Sequence, residues 1–457
     1  MAGIKTADHH GSHRRLIWPA DGSARRGKVD AIVVPTVRPL PYLEEAARAA
    51  RALDCSLVTL HTPGRTRASA AAFYLDWWAL NLITIDVPES AHFLLPELET
   101  SRLLAGTIFE RRTDVSSKRN LGLLLSHLLR WKRVVFLDDD IRVPDPADLS
   151  KAVSLLGTHA AVGLGIGGFP DNSVVCHAFR EAGGWQETFI GAGALAVDVE
   201  RNCSFFPNVY NEDWFFVLDA EKGLRSVATV GRVLQDPYDP YLPERARAEE
   251  LGDVLAEGTF WLLDHERSAS DGDLRHWREF LTKRQRFIEQ VLGMVERTTT
   301  VEPAEQLRRA EALMAALGRL ACITPELCVE YLVALAIDQE RWQRHMQDIR
   351  RQPKLAPDLA LESLADGGTP LTWYTRKPSP AQRRRTAPLL RQAQARELHA
   401  TIPPPPPALV PRVSTTTEWA LPPRPEVAAS HAAHALEAAE VALAGQQGQA
   451  DCDDHGH

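Results

Sequence analysis

Between residues 30 and 265 the chain alternates short apolar runs with longer stretches of helical composition. Ala31-Ile32-Val33-Val34, Ser56 to Leu60 and Leu82 to Val87 are brief and rich in β-branched residues, so each predicts a buried strand. Tyr42 to Leu53, Ala68 to Leu80 and Leu121 to Trp131 predict the intervening helices, the last introduced by Ser116 to Asn120. Pro35 and Pro39 are expected to end the first strand and shape a loop. Such alternation is the pattern of βαβ units, so the expected fold is α/β: a mostly parallel, Rossmann-like sheet sandwiched by helices.

One strand ends unlike the others. Arg133 to Leu137 runs straight into Asp138-Asp139-Asp140. Three adjacent anions cannot be buried without partners, at several kcal/mol each, so they belong at the strand's carboxyl end, where open α/β sheets bind ligands. An Asp-x-Asp pair, Asp138 and Asp140, suits a hard divalent cation that prefers oxygen. A solvated acidic turn is the competing reading.

Further on, Gly163 to Gly168 matches the letters GxGxxG, but Phe169-Pro170-Asp171-Asn172 follows where a helix should open. A turn or a close backbone approach is expected there, not a dinucleotide site. Leu195 to Val197 and Val227 to Leu234 predict two more strands. Between them Asn211-Glu212-Asp213-Trp214 interrupts a run of aromatics and predicts a helix start, Asn211 capping it. Arg245 to His265 reads as helix, weakened by Gly252 and Gly258.

From about 270 the strand pattern stops. Leu274, Trp277, Leu281, Ile288, Val291 and Val295 recur at helical spacing, and Ala304 to Leu320 and Pro325 to Arg350 continue the helices. The predicted organisation is a flexible leader over 1–29, an α/β domain over 30–268, a helical annex over 269–350 and a largely disordered tail over 351–457. The tail holds five prolines at 403–407 and an Ala-, Gln- and His-rich end. The annex either packs on the first domain or supports self-association.

Composition narrows the function. A net charge of -8 argues against a nonspecific nucleic-acid binder. Six scattered cysteines with no CxxC spacing indicate neither a zinc ribbon nor a dithiol motif, and fit a reducing cytoplasm. The polar start, His9-His10-Gly11-Ser12-His13, is not a signal peptide, and no apolar run is long enough to span a membrane.

Four motifs, in order, resemble one family: Pro35-Thr36-x-Arg38-Pro39, Lys118-Arg119-Asn120-x-Gly122, Asp138-Asp139-Asp140 and Asn211-Glu212-Asp213-Trp214. They look like the nucleotide-sugar glycosyltransferases of the GT-A fold, over roughly 30–265. Within that fold the last motif, with Asp171-Asn172-Ser173, is most similar to bacterial mannosylglycerate and glucosyl-phosphoglycerate synthases. The resemblance implies a metal-dependent transferase moving a sugar from a UDP- or GDP-linked donor to a hydroxyl acceptor. Asp140 would ligate Mn2+ or Mg2+, with Asp138 on the metal, its water or the ribose. Pro35, Thr36, Arg38, Asp86, Lys118, Arg119, Asn120, Asp138 and Asp139 would line the nucleotide-sugar pocket. Glu212 or Asp213 would act on the acceptor, as general base in an inverting enzyme. A third metal ligand would come from Gln235, Asp236 or a more distant His265.

Two other classes compete. A sugar-phosphate nucleotidyltransferase would carry a Gly-rich basic loop after the first strand, where this chain has Pro35 to Pro39. A catalytically silent binding protein, working through the annex, has no need of so many costly acids.

Overall fold

The structure is a computed structural model. It describes residues 3–20, 25–89, 94–169, 172–187, 189–201, 204–219, 223–365 and 371–384, all within the unit Met1–Ala393. The proline run and the Ala-rich end lie outside these residues.

The strands are β1 (Trp18–Pro19), β2 (Ala31–Thr36), β3 (Ser56–His61), β4 (Asn81–Asp86), β5 (Arg133–Leu137), β6 (Ile141–Arg142), β7 (Ala161–Gly168), β8 (Ala194–Asp198), β9 (Leu218–Asp219), β10 (Gly223–Leu224), β11 (Val227–Gln235) and β12 (Thr372–Arg376). One mixed, mostly parallel sheet runs in the order β1-β11-β7-β8-β5-β2-β3-β4-β12, with β6 paired to β11. β2, β3, β4 and β5 are mutually parallel; β8 is antiparallel to both β5 and β7. The carboxyl ends of β2, β3, β4, β5, β7 and β11 therefore share one edge.

Both faces of the sheet are covered, which is why its strands read as continuous apolar runs. Ala31, Val33, Val134 and Phe136 face one core, Ile32, Val34, Val135 and Leu137 the other. The second core is closed by α1 (Glu44–Leu53), α2 (Ala68–Tyr74) and α5 (Pro146–Leu155). The first is closed by α3 (Glu99–Leu104), α4 (Val115–Leu128), α6 (Val174–Glu181), α7 (Glu212–Val217) and the later helices. Those are α8 (Pro243–Asp264), α9 (Leu274–Glu296), α10 (Pro303–Leu320), α11 (Pro325–Arg351) and α12 (Pro357–Ala365).

The helical annex is thus packed on the sheet: Trp277, Phe287, Val291, Tyr331 and Trp342 share one core with Phe136 and Phe206. Asp338 of α11 fastens it to α3, accepting from Glu99 N at 2.6 Å, Thr100 N at 2.8 Å and Thr100 Oγ1 at 2.7 Å. Gly252 and Gly258, which weaken α8 on propensity, are packing sites. A Cβ at Gly252 would collide with the Tyr210 carbonyl, and one at Gly258 with the Trp277 ring.

Four expectations are corrected. The tail does not begin at 351: α12 follows, and β12 adds antiparallel to β4, covering a sheet edge that would otherwise expose unpaired backbone. The first strand runs through Pro35 to Thr36, paired to β3 all the way, while its pairing to β5 ends at Val33. Gly163 to Gly168 is strand, not turn; the close approach is real at Gly168, φ +77°, where a Cβ would meet the Gln235 carbonyl at 2.6 Å.

The leader, too, is built into the molecule. Ile4 bonds to Gly183 and Trp185, Gly11 accepts from Glu187 N at 2.8 Å, Ile17 enters the core and β1 joins the sheet edge. His9 and His13 are buried against α8, held by Glu257 and Asp264. Their polarity conceals this, because the compensating acids lie some 250 residues away in sequence. No single helix among the described residues is long and apolar enough to cross a membrane.

Candidate functional site

Along the chain the sheet grows outward from β2 through β3 to β4, then returns to place β5 on β2's other side. The gap between the carboxyl ends of β2 and β5 is a topological switch point, where open sheets bind ligands. Thr36 to Arg38 leave β2 there and Asp138 to Asp140 leave β5.

The three aspartates have different surroundings. Asp139 turns inward: Oδ2 accepts from Thr36 Oγ1 at 2.8 Å and from the backbone of Val37 and Arg38 at 3.2 and 3.3 Å, and Oδ1 takes the Arg38 guanidinium. It shapes the β2 loop and keeps little surface for a ligand. Asp140 accepts from Arg38 at 2.9 Å. Asp138 is the most exposed of the three, its side chain at 28% against 3% and 9%, and accepts from Arg119 at 2.7 Å.

Arg119 is the joint of the site. Fully buried near the start of α4, it binds Asp138 with one terminal nitrogen and Glu212 of α7 with the other. Two acidic motifs more than seventy residues apart thus meet through one guanidinium. Glu212 also takes Arg111 at 2.9 Å. Burial alone would raise its pKa, but the two guanidiniums outweigh that and hold the carboxyl below its ordinary value. Glu212 is therefore a buried strut.

Its neighbour Asp213 lines a cleft with Asn172, Ser173, Gly191, Tyr210, Asn211 and Trp214. Its carboxylate accepts from Ala192 N at 2.7 Å and from its own chain at Trp214 N. The helix is launched by Asn211 in the left-handed region, φ 62°, which Asn tolerates. The expected side-chain cap is absent; the Asn211 amide instead donates to Asp253 at 2.9 Å.

Two residues of the Lys-Arg-Asn motif also turn inward, one turn along α4. Lys118 donates to Thr36 O at 2.9 Å and Thr62 Oγ1 at 2.6 Å, with Asp114 at 3.0 Å. Burial lowers its pKa, opposed by Asp114 and Asp139. Asn120 clamps Phe206, donating to its carbonyl and accepting from its N–H, each at 2.8 Å. Both hold the loops that frame the site. Pro35 lies inside β2. Asp86 stands at the same sheet edge two strands from β2, where it accepts from Ala68 N at 2.8 Å at the start of α2.

Of the residues offered for a third metal ligand, Gln235 reaches the aspartates, with Nε2 3.4 Å from Asp140. Asp236 pairs with Arg142 at 2.5 Å. His265 ends α8, bonded to Trp261 O at 2.7 Å and stacked on that indole.

Sequence reasoning missed Arg111, Asp114 and Thr62, because only the fold brings their loops to the switch point. In all, Asp114, Asp138, Asp139, Asp140, Glu212 and Asp213 face Arg38, Arg111, Lys118 and Arg119, a formal charge of about −2 within one cluster. Gln235 Oε1 is buried beside it without a partner. Carboxylate and amide oxygens with an excess of negative charge suit Mg2+ or Mn2+.

No family model matches the chain, and no curated protein is recognisably similar to it.

Proposed function

We propose that the protein is a metal-dependent glycosyltransferase, moving a sugar from a nucleoside-diphosphate donor to a hydroxyl acceptor. The observation that carries this reading is the Arg119 bridge at the switch point. It joins Asp138, which with Asp140 and the Gln235 amide oxygen would supply a cation-suited set, to Glu212, whose neighbour Asp213 opens onto a separate cleft.

In this reading the nucleotide lies over the β2 loop, shaped by Asp139 and Lys118. Arg38, whose side chain is 36% exposed, faces the diphosphate. A bound divalent ion would neutralise charge developing on the departing diphosphate. The bond from the anomeric carbon to the diphosphate oxygen breaks, and one from the acceptor oxygen to that carbon forms. Asp213 takes the proton of the attacking hydroxyl in a direct displacement.

Calorimetric titration of UDP- and GDP-sugars with and without Mn2+ tests the donor side. Binding that appears only with the cation, and is lost in Asp140→Ala, is expected. Cation-independent binding, or none, overturns the reading.

A further inference from the structure

A second group of donors lies apart from the aspartates, where the N-terminal strap crosses the end of α8. The Nδ1 atoms of His10 and His13 both point at one oxygen, Oδ2 of Asp264, His10 at 3.4 Å and His13 in direct contact. One ligand atom from each of the three lies within 4.8 Å of the others. The Asp264 carboxylate is fully buried and the His13 side chain only 6% exposed. In one tautomer each imidazole donates its Nδ1–H to that oxygen; with Nδ1 deprotonated, the same three atoms are close enough to share a cation.

We infer that this is a zinc site: two imidazole nitrogens and one carboxylate oxygen, a borderline donor set that suits Zn2+ better than the all-oxygen preference of Mg2+ or Mn2+. The surroundings have the features of an outer shell. The other oxygen of Asp264 takes Arg15 Nε at 2.6 Å, fixing the carboxylate, while His10 Nδ1, which donates to the Ser12 carbonyl at 2.8 Å, would exchange that hydrogen bond for the metal. His265 stands next to the group, its ring centroid 6.1 Å from that of His10. Its Nδ1 is committed to Trp261 O, and His265 is not one of the three donors. The ion would pin the strap to α8. His13 packs edge-on to Trp214, 5.2 Å between centroids, so the pinned strap also braces the residue after Asp213.

The test uses the full-length chain, stripped with chelator and titrated with Zn2+ by calorimetry in excess Mg2+, which occupies oxygen sites but not this one. The C-terminal Cys452, His455 and His457 are a competing donor group, so a variant with all three changed to Ala runs alongside. One Zn2+ is expected to bind both chains alike, with a rise in melting temperature. His10→Asn, at a side chain 25% exposed, keeps the fold and weakens binding at least about tenfold, and Asp264→Asn abolishes it. Equal binding by wild type and the His10→Asn, His13→Asn double variant overturns the site. Loss of all binding in the tail variant does the same.

Discussion

At the residue scale the neighbours Glu212 and Asp213 divide two tasks that their sequence cannot separate. Glu212 is paired on both oxygens with buried guanidiniums, whereas Asp213 opens onto a cleft. Asp213→Asn should lower turnover about 100-fold or more with little change in melting temperature. Glu212→Gln should cost on the order of 3 kcal/mol, because it leaves Arg111 and half of Arg119 buried without a counter-charge. Paired urea melts and initial rates distinguish the two. If Glu212→Gln costs activity alone, the division is wrong. The same scale shows where the sequence stops being legible. Asp138 and Asp140 announce themselves as a cation pair, but nothing in a string of three aspartates says that the middle one faces its own loop. That is decided by the Thr36 hydroxyl and the Val37 and Arg38 amides.

At the scale of elements, β3 carries a pH-sensitive position into the sheet. His61 is fully buried, bonded to Thr59 and Thr66 at 2.9 Å each, and burial pushes its pKa down to about 4, with Lys118 adding to the effect. A histidine with a folded pKa below its unfolded value of about 6.5 holds fewer protons when folded. Its contribution is therefore complete above pH about 6.5 and is lost as the pH falls toward 4, by about 3 kcal/mol. His127 and His177, each pushed by burial to about 3, act in the same direction. The melting temperature should drop between pH 7 and 4.5, and His61→Asn should make that drop shallower. An unchanged slope refutes the assignment. A second element-scale test is Gly252→Ala: helix propensity favours it, but the Tyr210 carbonyl stands where the methyl would go. It should destabilise by about 1–3 kcal/mol in a urea melt. Most elements were legible because two-faced burial writes apolar runs directly into the chain. β12 was not, since Thr372-Trp373-Tyr374-Thr375-Arg376 is a short edge strand left largely exposed, with only a weak period of two.

At the scale of the whole molecule, what the sequence concealed is polar burial satisfied over long distances. The strap is the extreme case: His9 meets Glu257, and His13 meets Asp264, across most of the chain. His9 stacks on Phe287 of α9, 4.1 Å between centroids, while Glu257 is also bound by Arg284, which in turn holds Glu250 and Asp253. The strap therefore closes a buried ionic network joining α8 to α9 beneath the Asp213 cleft. Deleting residues 1–13 should leave Asp264 with Arg15 alone and expose the Phe287 ring, costing about 3–5 kcal/mol. Among the described residues the donor side, built from β2, β5 and α4, shares no bonds with the strap. Cation-dependent nucleotide-sugar binding should survive the deletion at temperatures below the lowered melting point, while transfer to the acceptor declines. Urea melts, donor titration and product assays on one truncated preparation check all three. Loss of donor binding in a chain that still melts cooperatively would mean that the two sides of the site are not separable in this way.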